Sequence, residues 1–284
     1  MPSSKKSRIR YQRPKMHFQN ITWGSAVGIV GLHAGCLLAP FAFSWSAVGV
    51  AVFLWWLAGG LGVTLCFHRL LTHRSFETPK IVEYLLTVFG SLNWQGGHVR
   101  WVGTHRLHHR DSDTESDPHS PRHGFNWAHV LWCFVDDPLG RNPRELAKDL
   151  QRDPVHNFLD RYFALPQLAL APILYALGGW PWVVWGICVR TVASYHATWF
   201  VNSAAHTWGY RNFETGEDSR NNWWVALISF GEGWHNNHHA FARSARHGMR
   251  WWELDLTYLT IRLMGKLGLA WNIHIPQQAR AGKA

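Results

Sequence analysis

The chain has 284 residues, only 16% of them charged, yet it carries 19 Trp, 19 His and a formal net charge of +10. An ordinary soluble surface is excluded, since soluble domains run at about 25% charged residues; tryptophan at this density suits the zone where helix ends meet lipid headgroups. A mean hydropathy of −0.17 excludes a chain mostly embedded in lipid, so apolar spans joined to a sizeable aqueous part are expected.

Residues 1–20 read as a basic arm, with KKSRIRYQRPK, Pro2 and Pro14 and no apolar period. Beside a lipid-spanning hairpin its partner is expected to be anionic headgroups rather than nucleic acid. Two segments without Asp, Glu, Lys or Arg follow at 24–43 and 46–67, each about the length that spans a bilayer core. A second pair, 164–177 and 180–200, is interrupted by Pro166, Pro172 and Arg190. The expectation is an all-α integral membrane protein: four transmembrane helices in two hairpins, with a helical cap from 68–160 and 201–275, a domain covering 21–275 and a tail at 276–284. The turns near 43–46 and 178–181 carry no charge, whereas the N-terminus and the segments after each hairpin are rich in Lys and Arg. The positive-inside rule therefore places both termini and the cap on the cytoplasmic side.

The first apolar run begins after a long polar stretch, so no secretory leader is expected. Within the cap, 81–92 (IVEYLLTVFGSL) is too short to span and is expected as a re-entrant or interfacial helix. RDSDTESDPHSPRHG, from Arg110, reads as a solvated loop. Cys36, Cys66, Cys133 and Cys188 form no CxxC pair and read as reduced thiols.

Histidine is concentrated at the ends of the expected spans: His68 and His73 in HRLLTH, His105, His108 and His109 in HRLHH, His206 in NSAAH, and His235, His238 and His239 in HNNHH. Positions i, i+3 and i+4 share one helix face, so each HxxHH set is expected to converge on one point. His68 and His73 lie about 140° apart on an α-helix and are expected to serve different metals. Nine imidazoles exceed the needs of one ion, and two ions account for the surplus. Asn202, four residues before His206, is a poor ligand and is assigned to holding a metal-bound water.

His33, His98, His119, His123, His196 and His247 are assigned structural or supporting roles. The acidic run 111–117 is near enough to HRLHH for one carboxylate to orient a ligand imidazole. Trp251 and Trp252 are assigned to the interface belt. Hydrolytic two-metal sites usually include carboxylates, and only Glu232 lies within these motifs, so redox iron is favoured over hydrolysis. With an acyl chain rising from the bilayer, two irons, dioxygen and two electrons suffice to remove hydrogen from an unactivated methylene. The products would be an alkene and water.

HRLLTHRSF, HRLHHRDSDTESDPHSPRHG, VNSAAHTWGYR and GEGWHNNHHAFARSARHGMRWWELDLT together resemble the membrane fatty acid desaturases, specifically the delta-9 acyl-lipid branch of cyanobacteria and plants, related to stearoyl-CoA desaturase. The resemblance implies a mushroom-shaped four-helix membrane fold and a di-iron (Fe2+) centre on the nine histidines, with Asn202 holding a water. It also implies dioxygen as co-substrate and a cis double bond at the ninth carbon of a saturated chain. No cytochrome b5-like segment is fused, so a separate electron donor is expected, ferredoxin or alternatively cytochrome b5. The acyl group is carried by a glycerolipid or by CoA. A hydroxylase or ketolase on the same scaffold is the rival reading, and a histidine-rich metal transporter a remote one.

Overall fold

The computed structural model describes residues 10–277, and among them the secondary structure is helical, with only isolated antiparallel bridges such as Ile21 to Val135. Helix α1 (Trp23–Cys36) is followed by turns to residue 42. At 1.5 Å per residue its 14 residues reach about 21 Å, less than the roughly 30 Å of a bilayer core. The expected span at 24–43 is therefore helical only in its first two thirds.

Among the described residues two helices are long and apolar enough to cross a membrane, by length and composition: α2 (Trp45–Thr72, mean hydropathy 2.0) and a run at Leu165–His206 (1.4). Ser44 caps α2, its Oγ accepting the Ala47 amide at 3.2 Å. From Trp56 to Thr72 the helix is π-helical, and the His73 amide closes it onto the His68 carbonyl at 3.1 Å. Helix α3 (Lys80–Ser91) packs along this segment; a Cβ on Gly62 would sit 2.2 Å from the Gly90 nitrogen, so only glycine permits the approach.

Next come α4 (His98–Asp111), the short α5 (Phe125–His129) and α6 (Pro154–Arg161). The 165–206 run, α7, is broken at Gly179, whose φ of 65° and ψ of −160° reverse the chain where Pro181 follows. Its two arms fold back on each other: Gln167 Nε2 donates to Thr191 Oγ1 at 3.0 Å, and Gly186 lies against Leu174. The hairpin expected around 178–181 is thus present. Arg190, which interrupts its second arm, is buried among neutral oxygens, donating to the carbonyls of Leu92 and Gly186 and to Gln167 Oε1 at 2.7 to 2.9 Å. Ile29 and Leu32 of α1 pack against Tyr195 and Trp199 of α7.

The chain then forms α8 (Trp223–Ile228), α9 (His235–Ala240) and α10 (Leu256–Lys266). A larger core of Leu65, Phe67, Leu71, Val99, Val102 and Ile261 joins α2, α4 and α10. One expectation fails here: the acidic loop is not solvated throughout, since Asp113 and Asp117 are 1% and 2% exposed. Their carboxylates turn inward onto histidines, which offsets the cost of burial. Trp251 is 94% exposed, while Trp252 packs on Trp234 and Tyr210.

Candidate metal centre

All nine histidines singled out by spacing meet at the junction of α2, α4, α7 and α9. They form two groups. His68, His73, His105, His109 and His238 place one ligand atom each within 4.8 Å of one another, and His108, His206, His235 and His239 do the same. Within the first group, His68 and His238 bring Nε2 atoms to 3.1 Å, His105 and His109 to 3.1 Å, and His109 and His238 to 2.9 Å. In the second, His235 stands 3.0 Å from His206 and 3.1 Å from His239 by the same atoms.

The expectation that each HxxHH set converges on one point is wrong. The i and i+4 members share a group, while i+3 goes to the other: His105 and His109 separate from His108, and His235 and His239 from His238. Successive residues are 100° apart on a helix, so i+3 and i+4 flank position i on opposite sides. Each set therefore serves both groups. The expectation that His68 and His73 serve different metals also fails, because the π-helical closure of five residues brings them to one face, rings 4.8 Å apart.

Behind the rings stand carboxylates. Glu232 Oε2 is 2.7 Å from His68 Nδ1 and 3.0 Å from His247 Nδ1. Asp117 Oδ2 takes His108 Nδ1 at 3.0 Å, and Asp113 Oδ2 takes His206 Nδ1 at 2.8 Å. An imidazole that donates from Nδ1 presents a lone pair at Nε2, the arrangement that orients metal-binding histidines. The acidic run supplies two such groups, as its position beside HRLHH suggested for one. Glu232 and His247 were not assigned this work by the sequence; Glu232 lay inside the motif, and nothing in the spacing marked His247.

Burial, reinforced by neighbouring imidazoles, holds His105, His109, His235, His238 and His239 well below the usual imidazole value, so they are neutral at pH 7. Burial alone would raise the Asp117 carboxyl, but His108 and His119 outweigh it and keep the group ionised. Glu232 is likewise held well below its usual value, against burial, by Arg69 and then His68.

A metal pair fits this donor set. Neighbouring nitrogens at 2.9 to 3.1 Å match adjacent ligands at right angles on an ion with bonds of about 2.1 Å. Five of the rings are neutral as described; His206, against burial, is raised to about 9 by the Asp113 carboxylate, so a metal ion there would displace its proton. The rear nitrogens are in part held by carboxylates, and His73 Nε2 is buried without a hydrogen-bond partner among the described residues.

The loop before α9 is built for close approach. Gly231 has a φ of 113° against Asp255, and a Cβ on Gly233 would lie 2.1 Å from the Ala226 nitrogen. Asn236 and Asn237 face away from the rings: Asn236 Oδ1 accepts the Asn212 and Phe213 amides at 2.8 and 2.9 Å, and Asn237 Nδ2 donates to the His247 carbonyl at 2.8 Å. Arg69, buried, bridges Glu232 and Asp255 at 3.0 Å each.

Beside both groups lies a cavity of about 50 Å³ lined by Val63, Thr64, Val201, His68, His235 and Asn202 among others. It shares Trp101, His105, Thr198 and Asn202 with a larger cavity of about 350 Å³ whose wall includes Trp94, Trp132, Tyr195 and Trp199. An apolar chain threaded through the larger space would reach the smaller one, between the groups.

A family model described as fatty acid desaturase matches residues 8–273. The chain is 53% identical to an sn-1 stearoyl-lipid 9-desaturase of Anabaena variabilis, over 90% of this chain and 94% of that protein. It is 46% identical to a chloroplastic palmitoyl-monogalactosyldiacylglycerol delta-7 desaturase of Arabidopsis thaliana, covering 91% of this chain and 70% of that one. To an acyl-CoA 5-desaturase of Anemone leveillei it is also 46% identical, over 89% and 79%. With this histidine arrangement and these relatives along most of its length, the chain belongs to the fatty acid desaturase family.

Proposed function

We propose that this enzyme inserts a cis double bond at the ninth carbon of a saturated acyl chain carried by a membrane glycerolipid. The observation that carries the reading is the pair of histidine groups side by side over an apolar cavity. A relative 53% identical along nearly the whole chain is named a stearoyl-lipid 9-desaturase, which supports the position and favours hydrogen removal over hydroxylation.

His68, His73, His105, His109 and His238 would hold one iron, and His108, His206, His235 and His239 the other. Two irons there would supply the power to reduce dioxygen with two electrons from a separate donor, for which ferredoxin is the candidate. With two protons taken up, the dioxygen leaves as two waters and the acyl chain loses two hydrogens. The protein's own work is positional: Asp113, Asp117 and Glu232 fix the ring orientations, and the walls at Trp101, Thr198, Val63 and Val201 hold the methylenes and exclude bulk water. Asn202, which lines both cavities, would hold a water near the irons. In this reading α2, the two arms of α7 and α1 with its following turns form four spans, and both termini and the histidines lie on the cytoplasmic side.

The test is the fatty-acid profile of a host expressing the chain, with double bonds located by mass spectrometry and His238→Ala alongside. New monounsaturated chains with the bond at the ninth carbon, missing from the variant, support the proposal. Hydroxylated products would replace it with the hydroxylase reading, and another bond position would correct the regiochemistry.

A further inference from the structure

The larger cavity has a distinct outer end. Its deep wall includes His105, Asn202 and Tyr195, whereas Gly24, Ser25 and Arg100 line it and are exposed. Gly24 and Ser25 open α1, and Phe163 and Ala164, also in the lining, lead into α7. Two helices assigned above to the membrane thus begin around this mouth, which sets it at headgroup depth.

Arg100 is the one Asp, Glu, Lys or Arg side chain in that lining. The other two arginines of α4 are committed to carboxylates, Arg106 to Asp149 at 2.7 Å and Arg110 to Asp111 at 2.8 Å. Arg100 makes no ion pair with an acidic side chain among the described residues, and its guanidinium is left to the mouth. It lies five residues before His105 on the same helix, about 7.5 Å along the axis, toward the end of the cavity where the ester of a bound acyl chain would lie.

Resting on the acyl-lipid desaturase reading, we propose that Arg100 reads the headgroup: it binds the phosphate of an anionic phospholipid in the bilayer, so that acyl chains on such lipids are taken in preference to those on uncharged glycolipids. A guanidinium fork matches phosphate oxygens and gains little from a sugar hydroxyl. Acyl-CoA also carries phosphates, but it arrives from water. A mouth set between two helix starts at headgroup depth favours the bilayer source.

The experiment uses the iron-loaded full-length enzyme with an electron donor, in vesicles containing equal stearoyl phosphatidylglycerol and stearoyl monogalactosyldiacylglycerol, with stearoyl-CoA as a separate arm. Monounsaturated product is measured in each lipid class. Wild type should favour phosphatidylglycerol. Arg100→Ala should lower the product ratio of phosphatidylglycerol to galactolipid on the order of tenfold, the effect of losing one charge-assisted contact, and Arg100→Glu should lower it further. Should both variants lose both products, Arg100→Lys decides: a ratio above unity supports the assignment and a ratio of unity overturns it. A ratio unchanged by Arg100→Glu overturns the headgroup role while leaving the desaturase reading intact. Activity on stearoyl-CoA alone, lost in Arg100→Glu, moves the phosphate to a soluble thioester and overturns the bilayer assignment. Wild type inactive in every arm defeats the desaturase reading itself, and this inference with it.

Discussion

Asp117→Asn changes one atom of a buried side chain, and its cost follows from three contacts. Asp117 Oδ2 accepts from His108 Nδ1 at 3.0 Å and from the Asp113 amide at 2.9 Å, while Oδ1 accepts the His119 amide at 3.1 Å. Asparagine keeps only one acceptor oxygen. Turned toward His119, that oxygen leaves the amide NH2 facing the Asp113 N–H and requires His108 to accept at Nδ1, so that its proton moves to Nε2 and into the second histidine group. Turned the other way, the NH2 meets the His119 N–H. Each arrangement leaves a buried donor unpaired, at about 1–3 kcal/mol, and removes the negative charge behind His108. Loss of such a carboxylate behind a ligand imidazole typically weakens metal retention by about 10- to 100-fold. The assay is iron loss to a chelator from the purified membrane protein, followed with turnover in the same samples. Iron retention and turnover equal to wild type would refute the argument that Asp117 fixes the His108 ring.

Arg69→Met should destabilise the fold by about 3–5 kcal/mol, because it leaves Glu232 and Asp255 buried without their shared cation; a thermal melt in detergent unchanged from wild type would contradict this. Gly28 lines the large cavity and a Cβ there meets nothing within 4 Å, so Gly28→Leu should fold normally yet lower turnover on stearoyl chains by about tenfold or more. Gly31→Leu, equally open but outside that lining, serves as the control, and equal effects of the two would refute the threading of substrate past α1. Burial, then His156, lowers the buried His98 to about 4 from the ordinary 6.5. Its neutral form is favoured in the fold, so this stability is whole above pH 6.5 and is lost as pH falls toward 4, by about 3 kcal/mol. Unfolding midpoints at pH 7.5 and 4.5 should show that loss, and His98→Gln should reduce it; a flat wild-type profile would contradict the assignment.

The histidine cluster was legible in the sequence because imidazoles that are to share a metal must be close in space and short-range spacing on helices puts them there; all nine histidines found by spacing lie in the two groups. Their division was not legible. It depends on the 100° between i+3 and i+4, which separates His108 from His109 and His238 from His239, and on a π-helical segment that no local pattern announced. Glu232 beside the last motif and the acidic run after HRLHH were visible, but their inward turn was not, since Asp113 reaches His206 across 93 residues of chain. His247 and Asp255 carry no spacing signal; they meet the network through Glu232 and Arg69 and through each other, the His247 amide donating to Asp255 Oδ2. Among the apolar segments, the reversal at Gly179 was written in Gly178, Gly179 and Pro181. The helical length of α1 was not, because the turns after Cys36 are as apolar as the helix before them.

If two metal sites share the same histidine motifs, the most direct measurement is iron per chain in the purified enzyme beside single-histidine variants. Two irons in wild type are expected, with His105→Ala and His239→Ala, one from each group, each lowering iron content and abolishing desaturation. A fully active enzyme with one iron, or with none, would contradict the paired-site account.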